Sequence, residues 1–164
     1  MKVLSYIAVL VILFLVYIVF IGSISLYDVI TGIIAGAIVS AFAAKYLVSN
    51  PGKLVDLRRL FYLLKYILVF IRMEISAHID IVKRVIKGKV NPGIVKVPYE
   101  LESDYAITSV ACSITNTPGT YVIDLDTGDH TFYVHWIDVK TFKRDEMHKL
   151  ISLDYEKCAK KIFD

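Results

Sequence analysis

The chain has 164 residues, of which 56% are hydrophobic and 21% charged, with a formal net charge of +3. Together with a mean hydropathy of +0.58, this composition is typical of an integral membrane protein and argues against a soluble enzyme. The net charge is too small to indicate a nucleic-acid partner, so none is expected.

The first apolar segment runs from Val3 to Ile21 and contains no charged residue. As a helix it would be about 28 Å long, close to the thickness of the hydrocarbon core of a bilayer. A cleavable signal peptide is the alternative interpretation. No convincing small-residue cleavage site precedes the second apolar segment, so we expect a membrane span that is retained.

The second apolar segment, Leu26–Val48, carries small residues four positions apart, which make one helix face flat enough for another helix to approach closely. These residues are Gly32, Gly36 and Ser40. Because only Gly22–Ser25 separates the two segments, they are predicted to form a tight antiparallel transmembrane hairpin. Asp28 lies in the first turn of the second helix, where the helix dipole favours a carboxylate. A buried ion site at Asp28 is the alternative.

The third segment, from about Leu54 to Lys87, has one polar, mostly basic side. That side consists of Arg58, Tyr62, Lys65, Arg72, Ser76, Asp80, Lys83 and Lys87. The uninterrupted apolar run Tyr66–Ile71 is too short to span a bilayer. The pattern therefore predicts an amphipathic helix that lies along the membrane interface and contacts lipid through its basic stripe.

The distribution of basic residues favours two membrane crossings. The basic positions are Lys2, then Lys45, Lys53, Arg58 and Arg59, then Lys83, Arg84, Lys87 and Lys89. With two crossings and one surface helix, all of them can be cytoplasmic, as the positive-inside rule prefers. We therefore expect a multi-pass protein of the cell membrane with a cytoplasmic C-terminal domain. The alternative is a third span whose charged stripe is buried against partner subunits.

After the turn at Asn91-Pro92-Gly93, the pattern becomes that of a small α/β unit. The predicted elements are a strand at Ile94–Pro98, a helix from Ser103 or Asp104 to about Ile114, strands at Tyr121–Asp126 and His130–Asp138, and one helix over Asp145–Phe163. This order (β-α-β-β-α) predicts a small α/β plait with helices on one sheet face. The expected fold class is thus an α+β membrane protein with a transmembrane helical hairpin (1–50), an amphipathic interfacial helix (51–90) and an α/β domain (91–164).

The segment Thr117-Pro118-Gly119-Thr120 is predicted to form a tight turn. Pro118 fixes φ for a turn, Gly119 can adopt the positive φ that follows, and the threonine hydroxyls can bond exposed backbone groups. Further along, His135 and Trp136 should point to opposite faces of a strand. We expect Trp136 to anchor the core or the membrane interface, and His135 to make a hydrogen-bonding contact. A proton-carrying role for His135 is the alternative, but the sequence shows no relay partner.

The segments Ser113–Asp124 and Tyr133–Asp138 together resemble the hallmark of the E subunit of Mrp-type (Mnh-type) multisubunit cation/proton antiporters. That family shows approximately S-I-T-L-T-P-G-T, then a short β-hairpin and a V-H-W segment. The chain departs from the pattern at Asn116, where the family commonly has an apolar residue, and at Cys112, where it often has Asn. The resemblance covers nearly the whole chain.

This resemblance implies a non-catalytic accessory subunit of a multisubunit membrane complex that exchanges monovalent cations such as Na+ for protons. Its partners would be other integral membrane subunits. The same module occurs in archaeal energy-converting complexes, including membrane-bound hydrogenases. The absence of Gln and the scarcity of Asn are typical of a hyperthermophile and favour that branch. The alternative is an autonomous membrane-anchored module that recruits a soluble partner to the cytoplasmic membrane face.

The sequence predicts no catalytic, cofactor or metal site. It has no phosphate-binding Gly-rich loop, no H-E-x-x-H and no nucleophile elbow. Cys112 and Cys158 are far apart without a partner motif. The four histidines, His78, His130, His135 and His148, are scattered, and His130 and His135 are expected on opposite faces of one strand. The two predicted spans contain only Asp28 and Lys45 as charged residues, so this chain alone is not expected to pump ions.

Overall fold

The computed structural model describes residues 2–48 and 56–164, which divide into two compact units, Met1–Leu57 and Arg58–Asp164. The first unit is a pair of antiparallel helices, α1 (Lys2–Ile21) and α2 (Leu26–Leu47). Both helices are long and apolar enough to cross a membrane, over Val3–Ile21 and Leu26–Tyr46. Of the helices that the structure describes, no other meets this measure of length and composition.

The short connection between α1 and α2 explains where the second helix begins. Gly22 ends α1 with a φ of +70°. Ser25 caps α2 by accepting a hydrogen bond from the Asp28 N–H at 3.3 Å, and the hydroxyls of Ser23 and Ser25 each donate to the Asp28 carboxylate at 2.6 Å. Asp28 is therefore the helix-start carboxylate that the sequence favoured, with its hydrogen bonds supplied by the turn.

The second unit combines a long helix with a small mixed domain. Its elements are α3 (Leu57–Lys87), β1 (Gly93–Pro98), α4 (Asp104–Asn116), β2 (Thr120–Asp126), β3 (Thr131–Trp136), α5 (Arg144–Ile151) and α6 (Leu153–Phe163). The predicted start of α3 near Leu54 lies outside the described residues. The strands form an antiparallel sheet in the order β1-β3-β2, so a three-stranded sheet beside helices is confirmed.

The core of the second unit lies between one face of this sheet and the helices. Alternate residues of β3 point into it because strand side chains alternate between the two faces. The buried core residues from the sheet are Val95, Val97, Phe132, Val134 and Trp136, and those from α4 to α6 include Ala106, Val110, Ile114, Met147, Ile151, Tyr155 and Ala159. Each large apolar side chain buried here contributes about 1.5–3 kcal/mol of transfer free energy.

The last predicted helix is two helices. The prediction of one helix across Asp145–Phe163 was wrong at Ser152, where α5 ends and the backbone has φ −120° and ψ −29°. The Ser152 carbonyl accepts from the Glu156 N–H at 3.0 Å, and its hydroxyl donates to the Glu156 carboxylate at 2.5 Å. Apolar residues recur at helical spacing on both sides of the break, so their periodicity does not reveal it.

The third strand is shorter than predicted. It begins at Thr131, not at His130, and ends at Trp136. His130 has a φ of +47° and closes the hairpin turn, a left-handed conformation in which Asn, Asp and His are the most frequent side chains after glycine. His130 and His135 therefore do not share a strand, contrary to the expectation from their spacing.

Candidate functional site

The small-residue face of α2 lies against α1 of the same chain. A methyl group on Gly32 would come within 2.7 Å of the Tyr17 ring, and one on Gly36 would lie 3.4 Å from the carbonyl oxygen of Leu10. Ser40, on the same face, is completely buried. The small side chains thus allow the two helix backbones to approach closely, which is the main source of helix–helix attraction where lipid surrounds both helices.

The Thr117-Pro118-Gly119-Thr120 turn connects α4 to β2 and is held by both threonines. The N–H and the hydroxyl of Thr117 donate to the Ser113 carbonyl at 3.1 and 2.8 Å. The Thr120 hydroxyl donates to the Ile114 carbonyl at 2.8 Å. A further hydrogen bond of 3.0 Å joins the hydroxyls of Thr117 and Tyr155. The threonines therefore satisfy carbonyls that the end of α4 would leave without partners.

Gly119 brings this turn into contact with α3. Its φ is +95°, and its carbonyl accepts from the Ile137 N–H at 2.9 Å. A methyl group at this position would lie 3.0 Å from Ile137 and 3.0 Å from Ile81 of α3. The position therefore favours glycine twice, for its backbone angle and for the close approach of two side chains.

Tyr66 and Arg59 connect the first half of α3 to the α/β fold, meaning the strands and helices of residues 91–164. The Tyr66 hydroxyl is 2.6 Å from the Ser113 hydroxyl and donates to the Ser109 carbonyl at 3.1 Å. Burial raises the pKa of Tyr66 to about 12, because a buried phenolate would lose hydration. Arg59 donates to the Ile162 carbonyl in the last helix. These contacts leave the polar groups of Tyr66 and Arg59 paired.

Arg84 is the corresponding anchor near the C-terminal end of α3. Its guanidinium lies 2.5 Å from Asp138 and 2.7 Å from Asp80, and its side chain is only 15% exposed. The hydrogen bond from Arg84 holds the pKa of Asp80 below its usual range, against the opposing effect of partial burial. Lys140 lies farther from the same carboxylate, at 3.7 Å. Ion pairs thus join α3 to the segment that follows β3.

The side of α3 that is turned away from the α/β fold is apolar along the whole helix. It consists of Leu57, Leu60, Phe61, Leu64, Ile67, Leu68, Ile71, Ile75, Ile79, Val82, Val85 and Ile86, each at least 45% exposed. We call this set the apolar face of α3. An exposed apolar surface about 46 Å long (31 residues at 1.5 Å each) indicates contact with lipid or with another protein. Two members of the predicted basic side, Arg72 and Asp80, instead make ion pairs within the second unit.

His135 and Trp136 lie on opposite faces of the sheet. Trp136 is 8% exposed and belongs to the core. His135 is half-buried on the other face, opposite Ile94 of β1 and Tyr121 of β2. Within residues 2–48 and 56–164, the His135 ring forms no hydrogen bond with another side chain.

The buried carboxylate of Glu156 was not singled out by the sequence. It accepts hydrogen bonds from the Ser152 hydroxyl at 2.5 Å and the Glu100 N–H at 3.0 Å, and lies 3.0 Å from His148 Nε2. These partners satisfy a side chain that is only 4% exposed. Glu156 therefore ties α6 to α5 and to the segment before α4.

Among the described residues, no three His, Cys, Asp or Glu side chains lie together as metal ligands would. Cys112 is exposed and Cys158 is buried, and both are free thiols. Burial raises the pKa of Cys158, so its thiol is a poor nucleophile. The features described above are therefore packing contacts of α2 and α3 and the turn at Thr117–Thr120.

A comparison with protein families shows which family this sequence matches. A family model described as a Na+/H+ ion antiporter subunit matches residues 10–162. The chain belongs to this family. The Thr117-Pro118-Gly119-Thr120 turn, the hairpin strands and most of the apolar N-terminal helices lie within the matched residues.

Individual relatives of this antiporter-subunit chain agree with the assignment. It is 39% identical over 85 residues to the E subunit of the Na(+)/H(+) antiporter of Alkalihalophilus pseudofirmus, which covers 51% of this chain and 54% of that protein. It is 30% identical over 145 residues to the E1 subunit of the Na(+)/H(+) antiporter of Staphylococcus haemolyticus, covering 86% of each. Against the first of these relatives and its Bacillus subtilis counterpart, the chain spans about half of their length.

A solved structure resembles this antiporter-subunit chain over nearly its full length. The similar chain comes from the membrane-bound sulfane sulfur reductase, an archaeal respiratory membrane complex. The TM-score is 0.83 at 28% identity, and the match covers 97% of this chain and 99% of the other. The same fold therefore occurs in a chain of an archaeal respiratory membrane complex.

Several contacts in this family member were missed by sequence reasoning. Arg84 pairs with Asp138, 54 positions later, which no local pattern reveals. The only available signal was the Asp80–Arg84 spacing, since residues four apart lie side by side on a helix. Tyr66 was expected within an apolar run, and nothing in the sequence indicates Ser113 as its partner.

Proposed function

We propose that the chain is a structural, non-catalytic subunit of a multisubunit membrane complex that exchanges monovalent cations for protons. The observation that carries the proposal is the similarity over 97% of the chain to a subunit of an archaeal respiratory membrane complex, together with relatives that are Na+/H+ antiporter subunits. The two candidate spans contain only Asp28 and Lys45 as charged side chains. The ionisable groups of an ion path would therefore belong to other integral membrane subunits.

We further propose an Mrp-like module of an archaeal energy-converting membrane complex, either a membrane-bound hydrogenase or a related complex, as the setting of this subunit. The likeness to a chain of the sulfane sulfur reductase complex supports this choice. The amide-poor composition of the chain, typical of hyperthermophiles, agrees with it.

The proposed placement is a multi-pass one in the cell membrane, with α1 and α2 crossing the bilayer and the α/β domain in the cytoplasm. The helix α3 lies along the cytoplasmic interface with its apolar face towards the acyl chains. Support comes from the exposure of that face and from the lysines beside it, Lys65, Lys83 and Lys87. Amphipathic helices of this kind bind at the boundary between lipid headgroups and acyl chains.

Purification of the native complex through an affinity tag on this chain tests the subunit assignment. Mass spectrometry of the intact complex is expected to find polytopic membrane subunits in fixed stoichiometry with the tagged chain. Removal of the chain is expected to lower cation-dependent proton transport in vesicles. A chain that migrates alone after mild solubilisation, in cells whose transport is unchanged by its removal, would disprove the proposal.

Site-directed spin labelling tests the position of α3. After Cys112 and Cys158 are replaced by serine, single cysteines are introduced at Ile71 on the apolar face and at Asp129 in the hairpin turn. A nitroxide at Ile71 should be more accessible to oxygen than to a water-soluble nickel chelate, and one at Asp129 should show the reverse. Equal nickel accessibility at both sites would rule out burial of Ile71 in lipid.

The cytoplasmic location of the domain is tested with the same Asp129→Cys variant. A membrane-impermeant maleimide added to intact cells should leave this cysteine unmodified, whereas opened cells should react. Efficient labelling in intact cells would place the domain on the outer side and contradict the proposed topology.

A further inference from the structure

A cavity of about 290 Å³ lies between α3 and the α/β fold, beside the Thr-Pro-Gly-Thr turn. Its inner wall includes Gly119, Trp136 and Tyr155, and α3 contributes Met73 and Ala77. A methyl group on Gly119 would lie 3.0 Å from Ile81 and 3.0 Å from Ile137, and both isoleucines also line the cavity. The Thr117-Pro118-Gly119-Thr120 turn and Trp136, which belong to the segments that carry the family resemblance, therefore form part of the cavity wall.

The charged residues that line the cavity are Asp80, Lys83 and Lys140, which together carry one net positive charge. Asp80 is paired at 2.7 Å with Arg84, which lies outside the cavity lining and also pairs with Asp138 at 2.5 Å. Lys140 reaches Asp80 only at 3.7 Å, with both side chains nearly half exposed, and such pairs contribute little. Among the described residues, Lys83 has no carboxylate within 4 Å. Lys83 and Lys140 can therefore turn towards an anion without breaking a strong ion pair.

The cavity opens on the flank of α3 that adjoins its apolar face. Ser76, Ile79 and Lys83 line the cavity and follow one another along one side of the helix. All three are exposed, and Ile79 belongs to the apolar face as well. A ligand with an anionic head and an apolar body can thus place its head between the lysines while its body lies along Ile79.

We infer that this cavity binds the phosphate group of an anionic membrane lipid, with Lys83 and Lys140 contacting the phosphate. Basic pockets beside membrane-facing helices suit such headgroups because the acyl chains stay in the bilayer while the phosphate pairs with cations. The inference rests on the proposed position of α3 at the interface. It gives α3 a specific lipid contact in addition to the general attraction of a basic surface.

Titration of the full-length chain in detergent with phosphatidylglycerol tests the site, with native mass spectrometry counting bound lipids. Replacing both lysines (Lys83→Ala with Lys140→Ala) should weaken the tightest binding event by about tenfold or more, because two charge-assisted contacts are lost. The matched control, Lys87→Ala with Lys89→Ala, removes the same charge outside the cavity and should change that affinity by less than about twofold, as expected for screened surface charge.

The single tryptophan of the chain provides a second measurement at the cavity. Phosphatidylglycerol with brominated acyl chains should quench Trp136 emission in the unaltered chain and in the Lys87/Lys89 control, and quench it less in the Lys83/Lys140 variant. A far-ultraviolet circular dichroism spectrum that matches the unaltered chain shows that the variant is folded. Equal quenching and equal affinity in the folded Lys83/Lys140 variant would overturn the inference.

Two further ligands identify the source of the phosphate. Phosphatidylcholine, whose phosphate is neutralised by its own cation, should bind much more weakly than phosphatidylglycerol; equal binding would overturn an anion-selective site. Inorganic phosphate should not displace the bound lipid at millimolar concentration, and complete displacement would overturn the lipid assignment. These measurements are made in detergent, so they can fail while the spin-label test of α3 succeeds, and the reverse also holds.

Discussion

Gly119→Ala should destabilise the second unit because of both its backbone angle and its close neighbours. Its φ of +95° lies outside the left-handed region that L-residues tolerate, which extends to about +70°. The added methyl group would also meet Ile81 and Ile137 at 3.0 Å, a distance at which both side chains must move. The matched control is Gly88→Ala, where φ is +62° and no atom lies within 4 Å of the added group.

The backbone strain and the overpacking together determine how much stability Gly119→Ala should lose. A positive φ costs an L-residue about 1–2 kcal/mol, and overpacking costs about 1–3 kcal/mol. We therefore expect Gly119→Ala to lower the free energy of unfolding by about 2–5 kcal/mol in total. Gly88→Ala should lower the free energy of unfolding by the backbone contribution alone, about 1 kcal/mol.

Guanidinium unfolding of the full-length chain in detergent measures both losses, with the fluorescence of Trp136 as the signal. Trp136 is the only tryptophan, and it lies in the core of the unit that contains both glycines. If the free energies of unfolding of the two variants agree within about 0.5 kcal/mol, which is the usual spread for surface substitutions, the close approach of Ile81 has no energetic importance. The turn would then not be what positions α3.

Three further predictions concern other contacts. Gly36→Leu should reduce the amount of this chain in the purified complex, because the larger side chain would overlap the Leu10 backbone of α1; normal copurification with undiminished thermal stability would contradict this. His135→Gln should leave proton transport per assembled complex unchanged across the pH range, since among the described residues the His135 ring has no side-chain hydrogen bond. Lost transport in an assembled complex would show a direct role. Stability should fall as the pH rises from 10 to 12, because the pKa of Tyr66 is raised from 10.0 to about 12 on folding and the unfolded state ionises first. Tyr66→Phe should remove this part of the alkaline loss, and identical unfolding profiles for the two proteins would refute the assignment.

The two N-terminal helices and the sheet could be predicted from the sequence because each follows one local pattern. The uncharged run Val3–Ile21 has the length of a bilayer, and strand residues alternate regularly around Val134. Pro118 and Gly119 marked the turn for the same reason, since their backbone preferences are intrinsic to the residues. Patterns of this kind survive folding unless tertiary contacts oppose them.

Which side of α3 contacts the α/β fold could not be predicted in the same way. A helical wheel separates its polar from its apolar side, yet the α/β fold contacts a third strip that includes Tyr66, Ile81 and Arg84. That strip mixes aromatic, aliphatic and charged residues, so hydropathy alone does not distinguish it. Its partners lie at least 38 positions away in the chain, at Ser113, Gly119 and Asp138, and only the folded structure brings them together.

The contacts along α3 have a consequence for changes of chain length. One residue inserted between Tyr66 and Ile81 would turn the remainder of the helix by about 100° and shift it by about 1.5 Å. Ile81 would leave Gly119, and Arg84 would leave Asp138, although every original side chain would still be present. Point substitutions remove one contact at a time, whereas a single insertion separates the anchors from each other. We therefore expect homologous chains to vary freely in many α3 side chains while keeping the number of residues between these anchors constant.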